Sequence, residues 1–399
     1  MPAGCVRSLR PIFVIALCAA VALAWGCGGG GSAGGARILG GGSTGPSTGL
    51  GPPADPMLYV LMTPDNPTGT PAPESISAAR IDAAGALVPL PSPIATHGTG
   101  DQNRSHSGFA VSADRRFLFV GHNLSDAVEA FASRTDGTLV AVSPTAGVLG
   151  ASYIGVHPTR PVIYVTRYKA SPPTSMVDVM MYSQSGALAP LQALSVAESV
   201  RGIALDPTGR YLAMAHMFGA GTGVAIYLLD PSGTPAPGAL QSVPLSGGRP
   251  AAVTYDRTGT RLYVRDLDRG IYAFSVGAQG TITALNNGTP YPVGGFPSDF
   301  VAHPTIDMLY VLTAFTSEIK PFRIEPSGTL SAEPPVALND NCQHMAIART
   351  GRALFLTSRA QSRVHAFTIQ ATGTLTPVVG SPFSFTNPAG GTGAIVVSE

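Results

Sequence analysis

Apolar residues along this chain fall into short runs separated by turns rich in Gly, Pro, Asp and Thr, and no stretch of residues 53–399 sustains a helical period. Residues 157–165, HPTRPVIYV, carry the unit that repeats: a tight turn, then a strand in which small and large apolar residues alternate. Aligned on Tyr164, the equivalent strand positions are Tyr59, Phe119, Ala213, Tyr263, Tyr310 and Phe355, spaced 45 to 60 residues apart. Variants of the turn precede six of the seven strands, among them DPTGRYLAM from Asp206 and DRTGTRLYV from Asp256. Gly209, Gly259 and Gly351 supply the positive φ that such turns ask for. A short apolar run, such as Ile203-Ala204-Leu205, leads into each turn, so every unit begins as a β-hairpin.

A second series runs in phase with the first. Gly-x-Leu/Ile turns at Gly85, Gly137, Gly186, Gly238, Gly280, Gly328 and Gly373 each follow a further strand and open a fourth. Seven units of four antiparallel strands predict an all-β, seven-bladed β-propeller over residues 53–399. The first unit lacks its opening strand, because only Asp55 and Pro56 precede its second one. Residues 393–397, GAIVV, resemble the other opening strands, so the C-terminal strand is expected to join blade 1 and close the ring.

The N-terminus reads differently. Arg7 and Arg10 precede an apolar segment from Ile12 to Trp25, too short for a membrane span of about 20 residues. Residues 1–26 are therefore expected to be a lipoprotein signal peptide, with Cys27 lipidated as in a bacterial lipobox. Residues 27–52 then form a flexible Gly/Ser-rich tether, which holds the propeller at the cell envelope, on the periplasmic side or at the outer membrane. Removal of Arg7 and Arg10 leaves 22 basic against 23 acidic residues, so nothing favours nucleic acid. Beyond Cys27 only Cys342 remains, and no disulfide can form within the mature chain.

The Asp-Pro-Thr-Gly turn, the Tyr-Val strand after it and the Gly-Thr-Leu turn together resemble the lactonase-type, 6-phosphogluconolactonase-like seven-bladed propellers. That resemblance spans nearly all of residues 55–399 and implies the propeller fold. Members with lactone chemistry carry a Gly-Pro-Arg-His run ahead of a middle-blade inner strand, and an Asn-Glu pair after the next strand. Here the run is Ser199-Val200-Arg201-Gly202, which keeps only Arg201, and Ala215-His216-Met217 replaces the Asn-Glu region.

Function is expected where the loops vary from blade to blade, on the face opposite the tight turns. Approaches to the inner strands bring His106, Arg201, Arg249, Asp299 and His344 to that face. The loops after the second strands add His122, Arg167, Tyr168, His216, Asp266 and Arg359. Arg side chains can pair a carboxylate or phosphate bidentately, and a His can move a proton near neutral pH. The expected ligand-binding set is Arg201, Asp299, His344, Arg167, Arg249 and His106, with Arg201, His344 and His216 the catalytic candidates. His157 and His303, in His-Pro turns, are expected to cap their turns. No metal set, cofactor motif or G-x-S-x-G nucleophile is present in the sequence.

Two functions fit these residues. One is a monomeric binding module for a small polar or anionic ligand, or for an envelope protein or glycan. The other is a divergent lactone hydrolase or isomerase acting on a carboxylate- or phosphate-bearing lactone.

Overall fold

The computed structural model describes residues 49–63, 73–99, 108–167, 176–196, 199–217, 221–245, 247–358, 361–385 and 391–399. They form seven antiparallel sheets of four strands, three of which carry a short additional strand at their outer edge. Blade 4 is typical, with strands Val200–Leu205, Tyr211–His216, Gly223–Leu228 and Gln241–Pro244 running from the inside outwards. Blade 1 takes its inner strand from the C-terminus. Thr392–Ser398 pairs antiparallel with Met57–Met62, with Leu58 opposite Val397 and Val60 opposite Ile395. The ring is closed as the repeat pattern requires.

The second strands are the most apolar because both of their faces are covered by neighbouring blades. In blades 1, 2, 4, 6 and 7 the second strand is buried along its whole length. The core is accordingly not one mass. Seven apolar clusters occur among the described residues, and each joins one blade to the next, as Phe119 and Tyr182 do for blades 2 and 3.

Polar atoms tie the same seams on the turn face. The hydroxyls of Tyr59, Tyr164, Tyr263 and Tyr310 donate to the carbonyls of Gly137, Gly233, Gly328 and Gly373, at 2.5–3.1 Å. Each bond runs from a second strand to the outer turn of the following blade. The two His-Pro turns do the same at the inner turn. His157 Nδ1 accepts from the N–H groups of Thr159 and Arg160, which leaves Nε2–H to donate to Gly209 O at 3.1 Å. His303 repeats the arrangement with Thr305, Ile306 and Gly351. Burial lowers both imidazole pKa values, consistent with neutral capping rings.

One expected turn is displaced. In blade 4 the turn falls at Gly233, with φ +87°, and not at Gly238. The segment TPAPGAL after Gly233 supplies a second Gly-x-Leu within the longer connection to the outer strand.

Candidate functional site

The inner strands are irregular at the end facing away from the tight turns. In blades 4 to 7 the pairing of inner and second strands slips by one residue there, leaving Arg201, Ala251, Ser298 and Gln343 as extra residues. Blade 3 has a similar slip around Ser152 and Tyr153. A bulge of this kind breaks the ladder locally and re-aims a side chain. Arg201, Ala251, Ser298, Gln343 and Tyr153 all line one cavity of about 360 Å3. That volume suits a small molecule.

Three arginines line it, and two of them are buried. Arg201 and Arg265 are 9% and 5% exposed. Arg265 comes from the second strand of blade 5. Its Nη1 donates to Pro297 O at 2.6 Å, while its Nε has no hydrogen-bond partner. Among the described residues Arg265 makes no ion pair. Tyr153 lies close enough to feel both cations. Burial raises its phenol pKa, Arg265 and Arg201 oppose that rise, and Asp299 adds to it.

Asp299 and His344 occupy matching positions, each one residue past the bulge of its blade. His344 Nδ1 lies 3.8 Å from Asp299 Oδ2. The same oxygen accepts the Met345 backbone N–H at 2.9 Å, and Oδ1 accepts the Phe300 N–H. The carboxylate thus ties blade 6 to blade 7 and faces the imidazole. The matching residue of blade 4 is Gly202. A Cβ there would lie 2.5 Å from Ala252 Cα and 2.9 Å from Ala251 O. The inner strands of blades 4 and 5 leave no room for the family's His at this position.

Four of the expected ligand-binding residues, Arg201, Arg249, Asp299 and His344, therefore meet at one cavity. The others do not. Arg249 is itself chelated by Asp268 at 2.6 and 2.7 Å. Arg167 is held by Asp178 at 2.5 and 2.6 Å and does not line the cavity. His216 is buried opposite Val200 and Gly223 and also lies off it. Asp266 is buried, which raises its carboxyl pKa, and its Oδ1 accepts from the N–H groups of Asp268 and Arg269. His106, Tyr168, Arg359 and Cys27 lie outside the described residues. Cys342 is buried beside Ser358, and burial followed by the Asp340 charge raises its thiol pKa, which disfavours thiolate chemistry.

Arg265 and Tyr153 are absent from the sequence-derived set. Arg265 had a signal: it lies two residues past Tyr263, where the other copies carry Leu61, Gly121, Thr166, Ala215, Leu312 and Thr357. It is the one charged member of that series. Tyr153 had none, because its placement depends on the blade 3 bulge.

His122, expected near the cavity, joins a different cluster at the seam of blades 1 and 2. Its ring is fully buried, with Nδ1 2.9 Å from Glu74 Oε2 and Nε2 3.4 Å from Glu129 Oε2. Thr63 donates to Glu74, and Glu129 also accepts the backbone N–H of His97 and lies 3.1 Å from its Nδ1. Burial alone would lower the His122 pKa. The contacts of the ring with the Glu129 and Glu74 carboxylates, which accept from it and carry charge, outweigh it and push the pKa up to about 9.

A closed ring of seven four-stranded blades, with a cavity built on the bulges of its inner strands, defines a seven-bladed β-propeller. Residues 132–388 match the family described as Lactonase, 7-bladed beta-propeller, and the chain belongs to that family. No curated protein matches it. Among solved structures it is similar to a Bacteroides uniformis protein provisionally assigned as a 6-phosphogluconolactonase, with 17% identity, TM-score 0.69, and 86% of this chain and 99% of that one covered. It is also similar to the periplasmic gluconolactonase of Pseudomonas aeruginosa, with 19% identity, TM-score 0.66, and coverage of 86% and 99%. Apo AztD of Citrobacter koseri aligns at 11% identity and TM-score 0.56, over 86% and 97%. At such identities the likeness establishes the fold.

Proposed function

We propose that this propeller binds a small molecule bearing a carboxylate or phosphate in the cavity between Arg201, Arg265 and His344. The observation that carries the reading is Arg265. A buried guanidinium with no ion-pair partner among the described residues is costly, and an anionic ligand offsets that cost while meeting the unused Nε–H. Fixed forks of this kind suit carboxylate and phosphate oxygens.

A second reading, lactone hydrolysis, is supported by membership of the family and by His344 facing Asp299 in the same cavity. There His344 takes a proton from water as the water attacks the lactone carbonyl and returns it to the ring oxygen as the acyl C–O bond breaks to give the hydroxy acid, while an Arg holds the substrate's anionic group.

One preparation tests both. Calorimetric titration with gluconate and 6-phosphogluconate is expected to give binding that Arg265→Met weakens by about 10- to 100-fold, the loss of a charge-assisted hydrogen bond. Unchanged affinity would sink the anion site. Turnover of gluconolactones by the wild type that His344→Ala abolishes would select the hydrolase. Binding without turnover would leave a binding module.

The anchor is part of the proposal. The leader, Cys27 and the Gly-rich tether support attachment to the envelope by lipid, without nucleic-acid or cofactor partners. Fatty-acid labelling of the expressed chain is expected, and Cys27→Ser is expected to lose it. Label retained by that variant would refute the anchor.

A further inference from the structure

The charged residues account for one part of the cavity, and its rim is different. Phe296 precedes the inner strand of blade 6, and Phe315 follows the second strand of the same blade. Both line the cavity. Their rings meet edge to face, with centroids 5.8 Å apart and planes at 68°. Phe315 is nevertheless 84% exposed, so Phe296 supports the ring without covering it. Most large apolar side chains among the described residues are buried in the seams between blades, so a bare aromatic face at the edge of a cavity walled by arginines stands apart. Met217 and Leu267 extend the apolar surface from blades 4 and 5.

We infer that the ligand is an anion attached to a flat, unsaturated or aromatic ring, with the anionic group on Arg265 and the ring against Phe315. The inference rests on the anion site proposed above and narrows its ligand class. An aromatic face gains most from a ring it can meet in offset or edge-to-face contact. A polyhydroxylated sugar acid asks for a hydrogen-bond partner at every buried hydroxyl, and the apolar rim supplies none. Apart from the Tyr153 phenol of blade 3, the neutral polar side chains of the cavity, Ser298, Asn341 and Gln343, belong to blade 6, blade 7 or the link between them. Phe315 is thereby a specificity-determining residue. It lies in a loop that follows a fully buried strand, so its replacement leaves the core untouched.

The test is calorimetric titration of the full chain in detergent with two matched pairs of anions: benzoate with gluconate, and phenyl phosphate with 6-phosphogluconate. The aryl member of at least one pair is expected to bind about tenfold more tightly than its partner. Phe315→Ser is expected to erase that preference by weakening the aryl member of the pair about tenfold more than its partner. Two results overturn the inference alone: sugar acids that bind through Arg265 as tightly as their aryl partners, or a Phe315→Ser variant that weakens both members of a pair equally. If no anion of either pair binds, or if Arg265→Met changes none of the affinities, the anion site itself fails and this inference falls with it.

Discussion

Deleting residues 393–399 is expected to abolish cooperative unfolding and leave most of the expressed chain insoluble. Those residues are nearly all of the inner strand of blade 1, whose partner Met57–Met62 is buried throughout. The loss takes about four ladder hydrogen bonds at roughly 1 kcal/mol each. It also takes the burial of Ala394, Ile395, Val396 and Val397, at up to about 1.5–3 kcal/mol for each large side chain. Glu399 goes too, with its bonds to the Thr350 N–H and hydroxyl. The sum is on the order of 10 kcal/mol, comparable with the whole stability of a typical domain. The deletion also exposes a long apolar strand edge, which invites aggregation. Soluble yield and a thermal scan check this. A truncated chain that melts at the wild-type temperature would mean that the ring does not depend on its C-terminal strand.

His122→Gln is expected to lower the melting temperature by on the order of 10 °C at pH 6.5 and to flatten its dependence on pH between 6.5 and 9. Removing one partner from a buried charge cluster costs about 3–5 kcal/mol, because the remaining charges are left unbalanced. Here the survivors are Glu74 and Glu129, one from each blade of the seam, with His97 behind Glu129. The folded-state His122 pKa, about 9, exceeds the ordinary 6.5. The folded protein therefore holds an extra proton in that interval. The stabilisation is fully present below about pH 6.5 and is lost as pH rises through 9. Glu129 acts in the opposite direction. Burial alone would raise its pKa, but the bonds and charge from His122, together with the His97 contacts, lower it. Its share is present above the unfolded pKa near 4.5 and is lost as pH falls through the lower folded value. Wild-type melting temperature should thus decline from pH 6.5 to 9. A variant that declines in parallel would show that the cluster does not hold the seam.

The scaffold was legible because its anchors are local. A Gly that needs positive φ and a Tyr that alternates with small residues repeat at nearly constant spacing, and each reports one turn or one strand. Gly238 misled for the same reason: it satisfies the local pattern while Gly233, five residues earlier, makes the turn. The contents of the site were only partly legible. Arg201, Asp299 and His344 could be placed at inner-strand approaches by counting along the repeat. Arg265 could have been found as the outlier in its series. Tyr153 and the bulges could not, since a one-residue slip leaves no mark on a pattern of small and apolar residues. His122 was assigned to the correct end of its strand, but its partner Glu74 is 48 residues away on another blade. Such a pairing belongs to the assembled ring and not to any segment of the chain.

The slipped residues have a consequence for how this ring can change over time. The strand register skips Arg201, Ala251, Ser298 and Gln343. Replacing one of them leaves the ladder pairing of its blade intact. Gly202, one position on, is fixed by the backbone of the next blade. The skipped positions of blades 4 to 7 therefore behave as a row of separate addresses, one to a blade. Chemistry can be rewritten there one blade at a time, without renegotiating the seams that hold the fold.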